Sequence, residues 1–432
     1  MTARPSGGAI MIAEVITIGS ELLHGLVPNT NLDMISGLLA EAGLWPSYHT
    51  TVGDEPERLG EAFRTAVHRA DVVIATGGLG PTSDDITRKV IATVFRRRLI
   101  LDRDALDGIR ARFKERGLTM PPINEAQALV PRGASVIPNA RGSAPGLHFT
   151  HMETECFALP GVPSEAEEML RSYVVPFLKS RNPGLVSGLR VVRTIGIGES
   201  ALAERLQGFE LEEPELTLGT IARSCGVDVH LSASSVDALW LQGVLDRGER
   251  KLVERAGPHV YAHGSRTLPE VVGEALLSRK LTLATAESFT GGSLGAAIVG
   301  TAGSSRYYRG GVIAYSNELK ESLLGVSGET LRRAGAVSAE TAKEMARGAR
   351  ERLGADCALS TTGIAGPDGE SAEKPVGLAY LGYSSADGEV SERYVFGGSR
   401  GDIIERASFF ALDLARRSLG ARVAWSEPSS RS

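Results

Sequence analysis

The stretch Ala284-Thr-Ala-Glu-Ser-Phe-Thr-Gly-Gly-Ser-Leu-Gly-Ala-Ala-Ile298 decides the fold. Ahead of its turn, Leu281-Thr-Leu-Ala-Thr-Ala286 alternates apolar with hydroxyl or small side chains, which predicts a strand. Beyond the turn, Ser293-Leu-Gly-Ala-Ala-Ile-Val299 is small and apolar enough for a buried helix. The glycines between them permit backbone conformations closed to other residues. A hydroxyl placed there meets the free N–H groups that open the helix, where negative charge is stabilised. Three readings follow. Ser288 is a nucleophile whose oxyanion is held by backbone donors, the turn is a phosphate cradle, or Ser288 is an ordinary N-cap at a strand–turn–helix joint.

Two later stretches have the same character. Val312-Ile-Ala-Tyr-Ser-Asn-Glu-Leu-Lys320 predicts a strand ending in a hydroxyl-rich turn that carries Tyr315 and Lys320. Cys357-Ala-Leu-Ser-Thr-Thr-Gly-Ile-Ala-Gly-Pro-Asp-Gly369 predicts a strand running into a glycine-rich loop. Such junctions meet at one sheet edge, the usual ligand position in open α/β sheets. Three motifs, Ala286-Glu-Ser-Phe-Thr-Gly-Gly292, Tyr315-Ser-Asn-Glu-Leu-Lys320 and Thr362-Gly-Ile-Ala-Gly-Pro-Asp-Gly369, together closely resemble the C-terminal domain of the competence/damage-inducible CinA family. In that family the domain is a nicotinamide-mononucleotide deamidase.

The full chain has 432 residues, 42% hydrophobic and 23% charged, which predicts two or three globular domains. A net charge of −5 argues against a general nucleic-acid binder, which would carry a basic face. Cys156, Cys225 and Cys357 are odd in number and far apart, so neither a disulfide framework nor zinc spacing follows and a reducing cytoplasm is expected. Met1 to Ile10 lacks the apolar core of a signal peptide, and Ser288 to Ser305 is too rich in Gly, Ser and Thr for a membrane span.

The first domain, residues 11–183, opens with a buried strand, Ile12-Ala-Glu-Val-Ile-Thr-Ile18. A helix over Asn31 to Ala42 follows, and Asp54-Glu-Pro-Glu57 reads as a capping pattern for the next one. A second buried strand, Asp71-Val-Val-Ile-Ala-Thr76, empties into Gly77-Gly-Leu-Gly-Pro-Thr-Ser-Asp-Asp-Ile-Thr87. Alternating strands and helices imply a parallel sheet. Gly77, Gly78 and Gly80 let backbone N–H groups approach a phosphate, and Asp84 and Asp85 are oxygen ligands for a hard divalent cation. The bland alternative is a turn with a helix cap.

This loop resembles the signature of the molybdopterin-binding fold, with Asp54 at that family's other acidic position. Asn139-Ala-Arg-Gly-Ser-Ala-Pro-Gly146 and Leu159-Pro-Gly-Val-Pro-Ser-Glu165 resemble further binding loops of the N-terminal half of CinA. The resemblance implies nucleotide binding by Glu21, Asn31, Gly77, Gly78, Gly80, Thr82, Gly142, Pro145, Gly161 and Glu165. It also implies ADP-ribose cleavage to AMP and ribose 5-phosphate, with magnesium, manganese or cobalt on Asp54, Asp84 and Asp85.

A turn at Arg181-Asn-Pro-Gly184 marks the first seam. Residues 184–264 then predict strands at Leu189–Ile195, Val227–Ser232 and His259–Ala262, with helices at Glu199–Leu206 and Val236–Ala256. The family has a KH-like α+β module here. No Gly-x-x-Gly loop flanked by basic residues is present, so RNA binding is not carried over. The third domain, residues 265–420, is α/β and opens at Thr267-Leu-Pro-Glu270. It has a Ser338-capped helix and a last amphipathic helix, Asp402 to Arg417, before a tail at 421–432 expected to be disordered.

The resemblance implies that Ser288 attacks the nicotinamide carbonyl, Lys320 takes its proton and Tyr315 orients or relays it, with no cofactor. The N–H groups around Thr290, Gly291 and Gly292 are the candidate oxyanion donors. Thr362, Gly363 and Gly366 line the nucleotide end, and Arg400 or Arg406 pairs its phosphate. The chain departs from the family at Ser399, where a Gly-Asp-Arg run is expected, and at Phe289, which stands where some members have Cys. The same resemblance implies a homodimer. Two other functions are carried alongside, a non-catalytic pterin or nucleotide binder in the first domain and a regulatory partner of the recombination machinery.

Overall fold

The computed structural model describes residues 11–369 and 374–421, so the signal-peptide reading and all but the first residue of the predicted tail lie outside the described residues. The chain divides into two compact units. One runs to Gly188 and takes in Ala233–Gly243; the other holds Leu189–Ser232 and everything from Val244 onward. The middle module predicted over 184–264 is divided between these units. Most of it belongs with the last domain, and its Ala233–Gly243 corner belongs with the first.

In the first unit, β1 (Ala13–Ile18), β2 (Pro46–Val52), β3 (Val72–Thr76), β4 (Leu99–Leu101), β5 (Leu129–Pro131), β6 (Ser135–Ile137), β7 (Gly146–His151) and β8 (Thr154–Leu159) form a six-stranded sheet and a small β4–β5 ribbon. The sheet order is β2-β1-β3-β8-β7-β6, parallel from β2 to β8 and antiparallel beyond. Every residue of β1, β3 and β8 is buried, as strands covered on both faces require. One face packs Ile16, Val73 and Ala158 against Leu59 and Phe63 of the helix Pro56–Arg69. The other packs Val15 and Ile74 against Ile35 and Leu39 of Thr30–Ala40. No side chain caps Pro56–Arg69; Asp54, predicted to cap it, instead accepts from Ser20 N and Oγ at 2.9 and 2.8 Å.

In the second unit, β9 (Val186–Thr194), β10 (Thr217–Ala222), β11 (Val227–Ser235) and β12 (Val260–His263) pair in the order β10-β11-β9-β12. β10 is mostly exposed, and its sequence lacks the apolar alternation that would have marked it. Ile195 from this module enters the same apolar cluster as Leu268, Leu276 and Leu412, so module and last domain share a core.

The last domain is a five-stranded sheet of β13 (Leu283–Glu287), β14 (Tyr308–Ile313), β15 (Cys357–Gly363), β16 (Leu378–Ser385) and β17 (Gly388–Val395), ordered β14-β13-β15-β16-β17. β14, β13 and β15 are parallel, and β16 and β17 return antiparallel. The helices Leu268–Arg279, Ser293–Val299 and Arg400–Ser418 cover one face; Ala339–Arg352 covers the other, with Leu324 and Leu331. The first of these opens with the Thr267/Glu270 capping box, at the residues where the sequence places the start of the third domain. The last begins at Arg400 rather than Asp402, because Ser399 accepts from Asp402 N and Asp402 reaches back to Ser399 N. Among the described residues no helix is long and apolar enough to cross a membrane.

Candidate functional site

Three parallel strands end together at one edge of the last domain. Glu287 stands opposite Ile313 on one side and Thr361 on the other, so Ser288, Ala314 and Thr362 form the next row. Two bonds lock the row: Ser288 N donates to Thr361 O at 3.0 Å, and Ala314 N to Glu287 O at 2.8 Å. Ser288 is buried, and its Oγ makes no hydrogen bond among the described residues. That leaves the hydroxyl available.

The turn beyond it is organised by Glu287, which sequence reasoning passed over. Its buried carboxylate accepts from Gly292 N at 2.9 Å, Leu294 N at 3.1 Å, Gly295 N at 2.8 Å and Thr290 Oγ1 at 2.8 Å. It is thus the anion at the N-terminus of Ser293–Val299, stabilised by the free donors and the helix dipole. Two expectations change. Ser288 is not the N-cap, a place held by Gly292 at φ +105°, where a side chain would be strained. The Gly292 N–H is engaged by Glu287, and the Gly291 N–H closes the turn onto Ser288 O at 3.1 Å. Thr290 retains a free N–H, and so does Phe289, leaving those two as the candidate oxyanion donors among the described residues. The signal was in the sequence: an acid at a strand's last position, directly before a Ser/Thr/Gly turn.

Lys320 lies within the helix Asn317–Leu324, not in a turn, because Ser316 caps that helix by accepting from Leu319 N. The side chain is 2% exposed, and Nζ donates to Ala314 O at 3.1 Å and Tyr315 O at 3.2 Å. Ala314 is the residue bonded to Glu287, so the amine sits one link from the Ser288 row. Burial lowers the Lys320 pKa, opposed by the nearby charge of Glu318. Two carbonyls use the two hydrogens of a neutral amine and leave its lone pair free.

Tyr315 is exposed, and its hydroxyl lies 3.5 Å from Arg400 Nη2, whose Nη1 donates to Gly366 O at 2.6 Å. Tyr315 and Gly366, from two loops, and Arg400, from the start of the last helix, thus come together, and Arg400 makes no ion pair among the described residues. Arg406, six residues on along the helix, donates to Gly397 O at 2.6 Å and is not bonded to Tyr315 or Gly366. Thr362 Oγ1 is tied to Ala336 O at 2.6 Å, and a Cβ on Gly363 would come within 2.7 Å of Leu378 O.

The first unit has its own junction. A Cβ on Gly77 would fall 2.2 Å from Ile18 O, so only glycine fits between the strand ends. Both oxygens of Asp85 are engaged by its own loop: Oδ1 accepts from Gly80 N at 2.7 Å and Oδ2 from Thr82 N at 2.9 Å. Asp54 is held by Ser20, and among the described residues no three His, Cys, Asp or Glu side chains gather to hold an ion. Asp54, Asp84 and Asp85 therefore do not fit a preassembled metal site. The sequence reading also missed Arg88, whose guanidinium donates to Leu79 O at 2.5 Å and Gly80 O at 2.7 Å, and whose pKa is pushed down to about 10 by burial.

Beside this loop a cavity of about 300 Å³ is lined by Thr17, Glu21, Asn29, Asn31, Thr76 and Gly161. Asn31 Nδ2 donates to Thr76 Oγ1 and Gly161 O, and its buried Oδ1 has no partner. Gly142 and Pro145 line a separate cavity of about 430 Å³ with Arg112 and Asn139, whose amide donates to Glu165 at 2.6 Å. The predicted nucleotide-binding residues thus fall into a cavity, a loop and a second cavity.

Three family models match in order: the probable molybdopterin binding domain over residues 14–180, the damage-inducible protein CinA KH domain over 189–262, and the CinA C-terminal domain over 265–419. A putative competence-damage inducible protein of Caldicellulosiruptor saccharolyticus is 42% identical over 409 residues, 95% of this chain and 99% of that protein. A CinA-like protein of Nostoc punctiforme is 42% identical over 417 residues, 95% of this chain and 100% of that one. The solved structure of a CinA protein of unknown function from Thermoplasma acidophilum is 34% identical, covers 40% of this chain and 97% of its own, and has a TM-score of 0.36.

Proposed function

This chain belongs to the competence/damage-inducible protein CinA family, and from that premise we propose that its last domain hydrolyses nicotinamide mononucleotide to nicotinic acid mononucleotide and ammonia. The observation that carries the reading is the buried Lys320 amine, held by two carbonyls at the end of the strand that pairs with the one leading into Ser288, whose hydroxyl makes no hydrogen bond among the described residues. A carboxamide is a poor electrophile and ammonia a poor leaving group, so the reaction needs an activated nucleophile and a proton donor. Ser288 Oγ adds to the carbonyl carbon as its proton passes to neutral Lys320. Phe289 and Thr290 N–H groups stabilise the oxyanion. Lys320 then returns the proton to the departing nitrogen, and water attacks the resulting ester by the reverse sequence. The substrate's pyridinium favours neutral Lys320 further. Arg400, beside Tyr315 and Gly366, takes the phosphate. Ammonia release from nicotinamide mononucleotide by the purified chain tests the reading; no release above the Ser288→Ala background would sink it.

For the first unit we propose a nucleotide or pterin site in the cavity of about 300 Å³, where the unpartnered Asn31 Oδ1 awaits a donor. ADP-ribose cleavage remains a finer reading of the same site. Turnover of ADP-ribose with added magnesium, manganese or cobalt separates it from binding alone, and the step is not routed through an ion here because Asp54 and Asp85 are engaged.

A further inference from the structure

A cavity of about 590 Å³ lies between the middle module and the last domain, inside the one compact unit that holds both. Arg193, Arg223 and Tyr261 line it from the module, and Leu268, Thr301 and Phe409 from the last domain. Its volume and its place between two packed bodies are those of a small-molecule site. Arg223 Nε donates to Asp228 at 2.9 Å, which satisfies one charge. Arg193 Nε donates to Gly264 O at 2.9 Å, and Arg193 makes no ion pair among the described residues, although its charge acts on Tyr261 and Glu270. Two guanidiniums thus line one cavity with a single lining carboxylate, Asp228. Burial raises the Tyr261 pKa, so its phenol stays a proton donor. Cys225 also lines the cavity, but burial pushes its thiol up to about 11, so it is not a nucleophile at neutral pH.

We propose that this cavity binds a small organic anion with a flat body, the size of a nucleoside monophosphate. Arg193 and Arg223 hold the anionic group in a fork suited to phosphate or carboxylate. Thr301 and Tyr261 supply hydroxyls, and Phe409 and Leu268 cover the ring. Thr301 follows the helix Ser293–Val299, whose other end is fixed by Glu287 beside Ser288. An occupant thus touches the far end of the helix that shapes the catalytic turn.

The test is photolabelling of the full chain with 8-azido-AMP, followed by peptide mapping, which keeps this cavity distinct from the two nucleotide sites proposed above. We expect saturable labelling of peptides containing Tyr261 or Phe409, displaced by AMP. Arg193→Gln should weaken it about tenfold, the loss of one charge-assisted contact, with the melting temperature unchanged. Should that variant unfold, Arg223→Gln, an exposed side chain, should weaken the same labelling severalfold. Label confined to the Gly77–Thr87 or Ser288–Gly292 loops, or label here indifferent to both substitutions, overturns the proposal.

Discussion

The two glycine-rich junctions of this chain are built alike and equipped differently. In each, a carboxylate from the chain itself accepts the donors of its turn: Asp85 takes Gly80 N and Thr82 N, and Glu287 takes Gly292 N, Leu294 N and Gly295 N. Each junction also has a buried basic side chain. At the first it is Arg88, spent on two loop carbonyls; at the second it is Lys320, also on two carbonyls, with its pKa lowered by burial. Arginine stays charged at ordinary pH even when depressed to about 10, whereas a depressed lysine can take up and release a proton. On the reading proposed above, the difference separates a binding loop from a reactive one. An unpartnered acceptor, Asn31 Oδ1, sits beside the first, and a free hydroxyl, Ser288 Oγ, beside the second.

The largest expected effect breaks the comparison at the hydroxyl. Ser288→Ala should lower ammonia release by roughly 10⁴-fold or more, as deleting a covalent nucleophile does. Ligand binding in the first unit should be untouched, and parallel loss of both in a folded variant would refute their independence. Lys320→Arg makes the second junction resemble the first. The charge stays but cannot be given up, so turnover should fall by about 10²–10⁴-fold. Only the deprotonated amine can act as the base, so in the wild type the rate should climb with pH through the lowered Lys320 pKa and then level off. A flat profile, or near-normal turnover by the arginine variant, would move the role to Tyr315.

Glu287→Gln sharpens what the two junctions share. A carboxamide has one acceptor oxygen for donors that now use two, so about 1–3 kcal/mol of stability should be lost in denaturant melts. Turnover should drop about tenfold through the displaced turn, while Asp85→Asn in the first unit should leave turnover alone. The smallest effect is at the phosphate: Arg400→Ala should raise KM about tenfold with kcat nearly unchanged, the pattern of lost uniform binding. A fall in kcat instead would place Arg400 in the chemistry.

The sequence made the central parallel strands such as β1, β3, β13 and β15 legible, because strands buried on both faces read as apolar runs, and Ser338 announced a helix start. It also placed Ser288 directly after a strand. What it hid depends on partners far along the chain. Asp54 looked like a cap and instead braces Ser20, and Asp84-Asp85 looked like a cation site although Asp85 closes its own loop. Arg400 and Arg406 were equal until the helix turned them apart. Lys320 was placed in a turn because Ser316 reads as loop as easily as cap. Glu287 was quoted within a motif and given no role, since nothing local says that four donors will converge on it.

The most direct measurement is rapid acid quench of the chain during turnover of nicotinamide mononucleotide, with mass spectrometry of its peptides. The account predicts an adduct of the substrate's acyl group on the peptide containing Ser288, formed with ammonia release and absent from Ser288→Ala. Continued ammonia release by Ser288→Ala at the wild-type rate would contradict it.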